Sequence, residues 1–546
     1  MCILYHKDPI KNEYSKLKAI ATSLSKYNLI HLLKLSSFLS LLSSHDEEMN
    51  IKSEYRNTFH YLFVEWFCKA ILLSHSRGYK DKVLDSKHFI KIYKKISQMN
   101  IHFRADEENK VEKEDIYSML SILTNTQCHH QDRNIFIEFG RQMFIYDIIP
   151  DNYKLKLEKG WLDFLELFEK QRHVNYQLFF LYHCYHYVFW LHQGKEFINM
   201  LRKANVSGNR VIDFFNLLDS NTDNFMSVDV NKILIDLDKR TKLKGEYLAF
   251  FFSIELNDLK DLKSKQNAKK LISDYQPFRF CPLIEISKDK YIIPSFYDYK
   301  MSILDFFPNF IDSQKISIRS KIHTQLGYCY EKYVLYYLQE KLSNVILIPE
   351  ISFIDKGSDL GPDVVVIDNK RNILIAIEVK KSQIKTISRH NPSIEEKNEL
   401  KDISLDAMYK LNNKLTRIFN YEGEYRNYKD VISTCKIETS FSLVVCGDYG
   451  YFNDKIIKDT YKEKHTHIND NYLFLDIPNI EDVIEYTAQN SKSFSDSLKT
   501  YIDIVDERLP STNISLYFKE NLDFRKNLLY LKINELMQIY SNNKLD

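Results

Sequence analysis

Apolar residues recur at i, i+3 and i+4 through roughly the first 260 positions, a spacing that predicts amphipathic helices. The clearest stretches are Ile30–Leu42, Tyr61–Leu73, Trp161–Phe168, Tyr176–Leu191 and Tyr247–Leu256. No internal repeat is regular enough to argue for a solenoid. Tyr and Phe are spread throughout this region; they are read first as filling helix interfaces, with a partner surface or a base-stacking surface as the alternative. The polar run Asn257–Lys270 reads as a linker or an exposed helix, and the pattern changes after it. Arg279–Ile286 and Tyr291–Pro294 flank Ser287-Lys288-Asp289-Lys290, as two strands flank a hairpin turn.

From there helices and strands alternate, which predicts an α/β domain. A long helix is expected over Ile316–Leu342, followed by an extended run Val345–Phe353 and strands at Asp363–Ile367 and Ile373–Val379. A polar loop, Ser382–Lys401, then leads to a helix near Leu405–Phe419 and a strand Phe441–Cys446. A last strand, Tyr472–Leu475, precedes further helices that run toward Asp546. The order is α-β-β-β-α-β with additions.

Composition narrows this picture only slightly. The 546 residues exceed one ordinary core, so two or more domains are expected. Gly (12) and Pro (11) are scarce, which favours helices over turn-rich all-β architectures. The balance of 76 basic against 74 acidic residues leaves nucleic acid open, because a local basic groove suffices for phosphates. The eight cysteines are scattered without a CxxC pair, as expected of reduced, buried thiols in a cytoplasmic protein. Cys128-His129-His130 and Cys184 with His183, His186 and His192 lack a second ligand group at metal-site spacing, so structural roles are the expectation. The start of the chain is interrupted by His6, Lys7 and Asp8 and does not read as a secretory signal. Tyr176–Leu191 falls short of the ~18 clean apolar residues that argue for a membrane span.

The chemistry concentrates in Gly361-Pro362-Asp363 with the strand after it, a polar turn Asp368–Asn372, and Ile373–Lys380. Two β-branched runs joined by such a turn should pair as an antiparallel hairpin. Side chains alternate along a strand, so Glu378 and Lys380 share one face while Ile373, Ile375, Ile377 and Val379 share the other. Asp363, at the start of the partner strand, falls beside that charged pair. Two carboxylates suit Mg²⁺ (Mn²⁺ can substitute), which binds through one or two carboxylates and keeps several waters. The Val379 carbonyl is a candidate further ligand. Lys380 can orient or deprotonate a water or stabilise transition-state charge.

Pro362-Asp363 followed by Glu378-Val379-Lys380 in a strand-turn-strand setting resembles the PD-(D/E)xK, or restriction-endonuclease-like, nuclease superfamily. The resemblance covers roughly Ser317–Asp476 and implies that family's α-β-β-β-α-β core. It also implies an acidic residue on the preceding helix, where Glu331 stands on the apolar stripe before Val334, Leu335 and Leu338. The implied metal ligands are Asp363, Glu378, Val379 and Glu331, with Asp363, Glu378, Lys380 and Glu331 forming the catalytic set. Lys381, Lys385, Arg389, Lys410 and Lys414 are candidate phosphate contacts beside it. Lys414 and Asn413 are also candidates for an accessory active-site residue on the helix that follows.

The expected architecture is thus an α+β multidomain protein. A helical targeting or control region (1–270) is followed by a hairpin connector (271–310), a nuclease domain (311–490) and a C-terminal helical extension (491–546). The expected activity is Mg²⁺-dependent cleavage of DNA, by analogy with bacterial restriction and anti-phage effectors. An RNA-cleaving enzyme of the same fold and a non-catalytic nucleic-acid-binding scaffold are the alternatives. No phosphate loop of the G-x-x-x-x-G-K-[ST] type is present, so ATP-driven movement would need a partner. A homo-oligomer or a separate partner subunit is possible, and no membrane association is expected.

Overall fold

The strand periodicity around Asp363 produces the central sheet, and the helical stripes on either side cover it. The computed structural model describes residues 9–44, 61–74, 82–96, 132–154, 282–287, 290–295, 306–312, 314–349, 361–381, 394–420, 428–447, 471–507 and 522–542, with short pieces between them. Helices α1 (Pro9–Leu24), α2 (Leu29–Ser44), α3 (Tyr61–Ser74) and α4 (Ser86–Ile96) open the chain. Helix α5 (Asp132–Met143) runs through one π-turn, Phe144–Ile148, into α6 (Ile149–Asn152). Short strands β1 (Val228–Asp229), β2 (Ser253–Glu255), β3 (Leu283–Ser287) and β4 (Lys290–Ile292) follow. Next come α7 (Phe306–Asp312), α8 (Ile316–Lys341), β5 (Val345–Pro349), β6 (Val364–Asp368) and β7 (Ile373–Lys380). The remainder is α9 (Ile394–Phe419), α10 (Lys429–Thr434), β8 (Thr439–Cys446), β9 (Tyr472–Asp476), α11 (Ile477–Gln489), α12 (Phe494–Glu507) and α13 (Leu528–Asn542).

The expectation of an all-α first region is corrected by β1 and β2. Ser253–Glu255, expected within a helix, instead runs parallel to β3, while β1 pairs antiparallel with β4. The apolar run around these residues fits either period when it is short, and pairing with the hairpin selects the strand. The β3–β4 hairpin forms as expected. It packs with α1–α4: Phe278, Ile284 and Ile292 share one core with Leu17, Leu33, Phe67 and Phe89. Ser36 Oγ donates to the Pro294 carbonyl at 2.8 Å, tying α2 to the end of this hairpin.

The second sheet is mixed, in the order β5-β6-β7-β8-β9. β5, β6 and β7 are antiparallel neighbours, whereas β7, β8 and β9 run parallel. Both faces are covered. Val364, Val366, Ile373, Ile375, Ile377 and Val379 face a core shared with α8 and α11. Val365, Ile367, Leu374 and Ala376 face the stripe Leu405, Met408, Leu411, Leu415 and Ile418 of α9. The interior strands β6, β7 and β8 therefore read as nearly continuous apolar runs. The turn between β6 and β7 places Asn372 at φ 54°, a left-handed position that asparagine tolerates.

β5 is described over Val345–Pro349, and the rest of the expected run to Phe353 lies outside the described residues. The end of the expected loop Ser382–Lys401 is helical, because α9 begins at Ile394, and residues 382–393 lie outside the described residues; the first turns of α9 carry Glu and Lys and gave no apolar stripe to read. Tyr176–Leu191 and both Cys/His clusters lie outside the described residues, and of Trp161–Phe168 only Glu166 is described.

Helices from both ends of the chain complete the core around α8. Phe139, Met143, Phe144 and Ile149 of the α5–α6 segment pack with Tyr333, Tyr337, Leu529 and Ile533. A buried polar network runs through this contact. Arg141 donates from Nε and Nη2 to the two carboxylate oxygens of Glu481, each at 2.5 Å, and Tyr333 Oη donates to Glu481 at 2.6 Å. Glu485, fully buried, accepts from Tyr337 Oη at 2.9 Å and from the Leu528 amide at 2.8 Å, and Lys341 lies 2.9 Å away. Carboxylates removed from water need such partners. Among the described residues, no helix is long and apolar enough to cross a membrane.

Candidate active site

Register alone brings the first two carboxylates together. Val364 pairs with Ile377, so one step further along the same antiparallel ladder Asp363 faces Glu378. Cross-strand partners share a face, which puts both side chains on the α9 side of the sheet. Both are buried, Asp363 at 8% and Glu378 at 4% exposure. Asp363 Oδ2 accepts the Val379 amide at 2.6 Å. The Lys380 carbonyl accepts the Gly447 amide on the β8 side at 2.8 Å. Carbonyls alternate along a strand, so the Val379 carbonyl is directed to the side on which its own N–H meets Asp363.

Two ammonium groups compensate the carboxylates. Lys380 Nζ donates to Glu378 Oε1 at 2.6 Å. Lys414 Nζ, from α9, donates to Glu378 Oε2 at 2.9 Å and to the Gly361 carbonyl at 3.0 Å. Burial pushes the Asp363 carboxyl up to about 7, and the adjacent Glu378 charge adds to this against Lys380, the Val379 N–H and Lys414. Burial opposes the charge on Lys380, but Glu378, Asp363 and the more distant Glu331 outweigh it and hold its ammonium above the usual lysine range.

Asp363, Glu378 and Lys380 thus come together, and Lys414 joins them. Glu331 sits half-buried on α8, which covers the opposite face of the sheet from Glu378. Its charge reaches Lys380, yet among the described residues no three His, Cys, Asp or Glu side chains gather into a metal-holding group. Glu331 thus stands on the helix that covers the other face of the sheet, close enough for its charge to act on Lys380 and on the Cys329 thiol.

The candidate phosphate contacts separate. Lys381 pairs with His323 of α8. Lys410 forms an exposed ion pair with Asp406 at 2.7 Å, on the solvent face of α9. Lys385 and Arg389 lie outside the described residues, and Asn413 is exposed. The direct contact of Lys414 with Glu378 went beyond the phosphate-binding expectation. Its signal was present, since Lys414 interrupts the apolar stripe of Leu411, Leu415 and Ile418. Cys329, on α8, has its thiol pushed up to about 12, mainly by burial, and is no thiolate ligand.

This geometry defines a mixed α/β protein with a buried carboxylate–lysine cluster at the end of its third sheet strand. No family model, curated protein or solved structure matches the chain.

Proposed function

We propose that this protein is a metal-dependent nuclease of the PD-(D/E)xK, restriction-endonuclease-like class, with DNA as its substrate. The observation that carries this reading is the facing pair Asp363 and Glu378, buried together with Lys380 on the same strand. The order of α8, β5, β6, β7, α9 and β8 supports it, because it follows the arrangement that the motif implies.

The residues fit a hard divalent cation. Burial, and then the repulsion of the neighbouring Glu378, push the Asp363 carboxyl up to about 7. A cation relieves that repulsion and accepts oxygen ligands of this kind. Asp363, Glu378 and the Val379 carbonyl would hold Mg²⁺, which when bound lowers the pKa of water and neutralises phosphate charge. Asp363 is oriented for this by the Val379 amide, and Glu378 by its two lysines. Lys380 keeps its proton near neutral pH and donates hydrogen bonds, so its role is to orient a nucleophile and stabilise negative charge on a phosphoryl oxygen. Glu331 helps hold Lys380 in this charged form. A place among restriction or anti-phage effectors remains part of the proposal by analogy alone.

The test is incubation of the purified chain with duplex DNA, single-stranded DNA and RNA, in Mg²⁺ or EDTA, beside Asp363→Ala. Cleavage of DNA that requires Mg²⁺ and is lost in the variant is expected. Cleavage of RNA alone would reassign the substrate, and near-wild-type cleavage by Asp363→Ala would sink the site.

A further inference from the structure

The two ammonium groups on Glu378 are not equivalent. Lys380 approaches Oε1 at 2.6 Å and is held by the charges of Glu378, Asp363 and Glu331 together. Lys414 approaches Oε2 at 2.9 Å, donates also to the neutral Gly361 carbonyl and, of the charges that hold Lys380, feels that of Asp363 but not that of Glu331. Lys414 also comes from a different element, so it bridges α9, β7 and the segment entering β6. Each oxygen of Glu378 therefore already carries an ammonium group. A cation bonding directly to Glu378, at roughly 2.1 Å for Mg²⁺, has to displace or crowd one of them.

We propose that Lys414 is a positioning residue that holds Glu378 and the Gly361 carbonyl in place in the metal-free protein and competes with the incoming cation for Glu378. This inference rests on the metal-dependent reading above. Lys414 is the group that yields, because fewer carboxylates hold it. Its four-carbon stem is flexible, and its bond to Glu378 is the longer of the two, 2.9 Å against 2.6 Å. Lys380 is the more exposed of the two, but on leaving Glu378 it would also move away from the charges of Asp363 and Glu331. A purely structural bridge would behave differently: its loss would loosen the site and weaken metal binding. A competitor's loss strengthens it.

The experiment is calorimetric titration of the EDTA-stripped full-length chain with Mn²⁺, comparing wild type, Lys414→Gln and Lys414→Arg. Removing a like charge this close to the cation should tighten Mn²⁺ binding by about tenfold in Lys414→Gln. Lys414→Arg keeps the charge and should bind Mn²⁺ no better than wild type. Equal or weaker Mn²⁺ binding by Lys414→Gln, with measurable binding by wild type, overturns the competition and leaves the nuclease reading intact. Absence of Mn²⁺ binding by wild type overturns both. If Lys414→Gln does not fold, Lys414→Met removes the same charge while keeping an apolar stem. Failure of both variants to fold would make Lys414 a residue of the fold and overturn the proposal.

Discussion

Asp363→Asn should make the metal-free protein more stable, although it removes a residue of the proposed site. Asp363 is buried, and its carboxyl titrates at about 7 in the fold against an ordinary value of 3.8. A group whose folded pKa is raised binds its proton more tightly when folded. Its ionisation penalty is therefore absent below pH 3.8, grows as pH rises through the window to about 7, and is complete above it. The shift is about 3 units, and at about 1.4 kcal/mol per unit it sets a ceiling of about 4 kcal/mol on the penalty at pH 8. Asparagine has the same shape, its oxygen still accepts the Val379 amide, and its amide can donate toward Glu378. Melting in EDTA at pH 8 should rise by several degrees, on the order of 5 °C, at roughly 2–4 °C per kcal/mol for a large domain. At pH 4 the two proteins should converge, because wild-type Asp363 is then protonated. Adding Mg²⁺ at pH 8 should stabilise wild type more than the variant, since binding to the folded state alone adds stability. An unchanged or lower melting temperature for Asp363→Asn at pH 8 in EDTA would refute the argument that burial beside Glu378 penalises the Asp363 charge.

Alanine at Glu378 or Lys380 should abolish cleavage, and the double variant should be little worse than the weaker single one, because the groups act as a unit; gel assays on equal amounts of folded protein check this. Arg141→Ala strands the buried Glu481 and should cost about 3–5 kcal/mol in denaturant unfolding. A chain beginning near Asp274 lacks α5 and α6, whose apolar side chains share the core of α8 and α13; it should melt well below one beginning just before Asp132, as circular dichroism would show. Gly447→Ala places a Cβ 2.9 Å from the Tyr330 ring, beside the amide that holds the Lys380 carbonyl; it should lower activity more than its loss of stability explains.

The strand period, the polar turn and the order of elements from Ile316 onward were legible because they depend on neighbours close along the chain. Alternation was enough to place Glu378 and Lys380 on one face of β7, and the hairpin turn was enough to place Asp363 opposite them. Pairing with distant segments was not legible in this way. Ser253–Glu255 is a strand because Leu283–Glu285 lies alongside it, and no local pattern separates that outcome from one more turn of helix. The sheet also had to fold before its two covers were known. Glu331 and Lys414 both interrupt apolar stripes; the sequence reading gave Glu331 a place in the metal and catalytic sets, and Lys414 a place among the phosphate contacts and accessory candidates. The structure lays α8 over one face and α9 over the other, and Glu378 points toward α9. Which face a helix covers is decided by packing between distant segments, and that is why Lys414 contacts Glu378 while Glu331 acts on Lys380 through its charge.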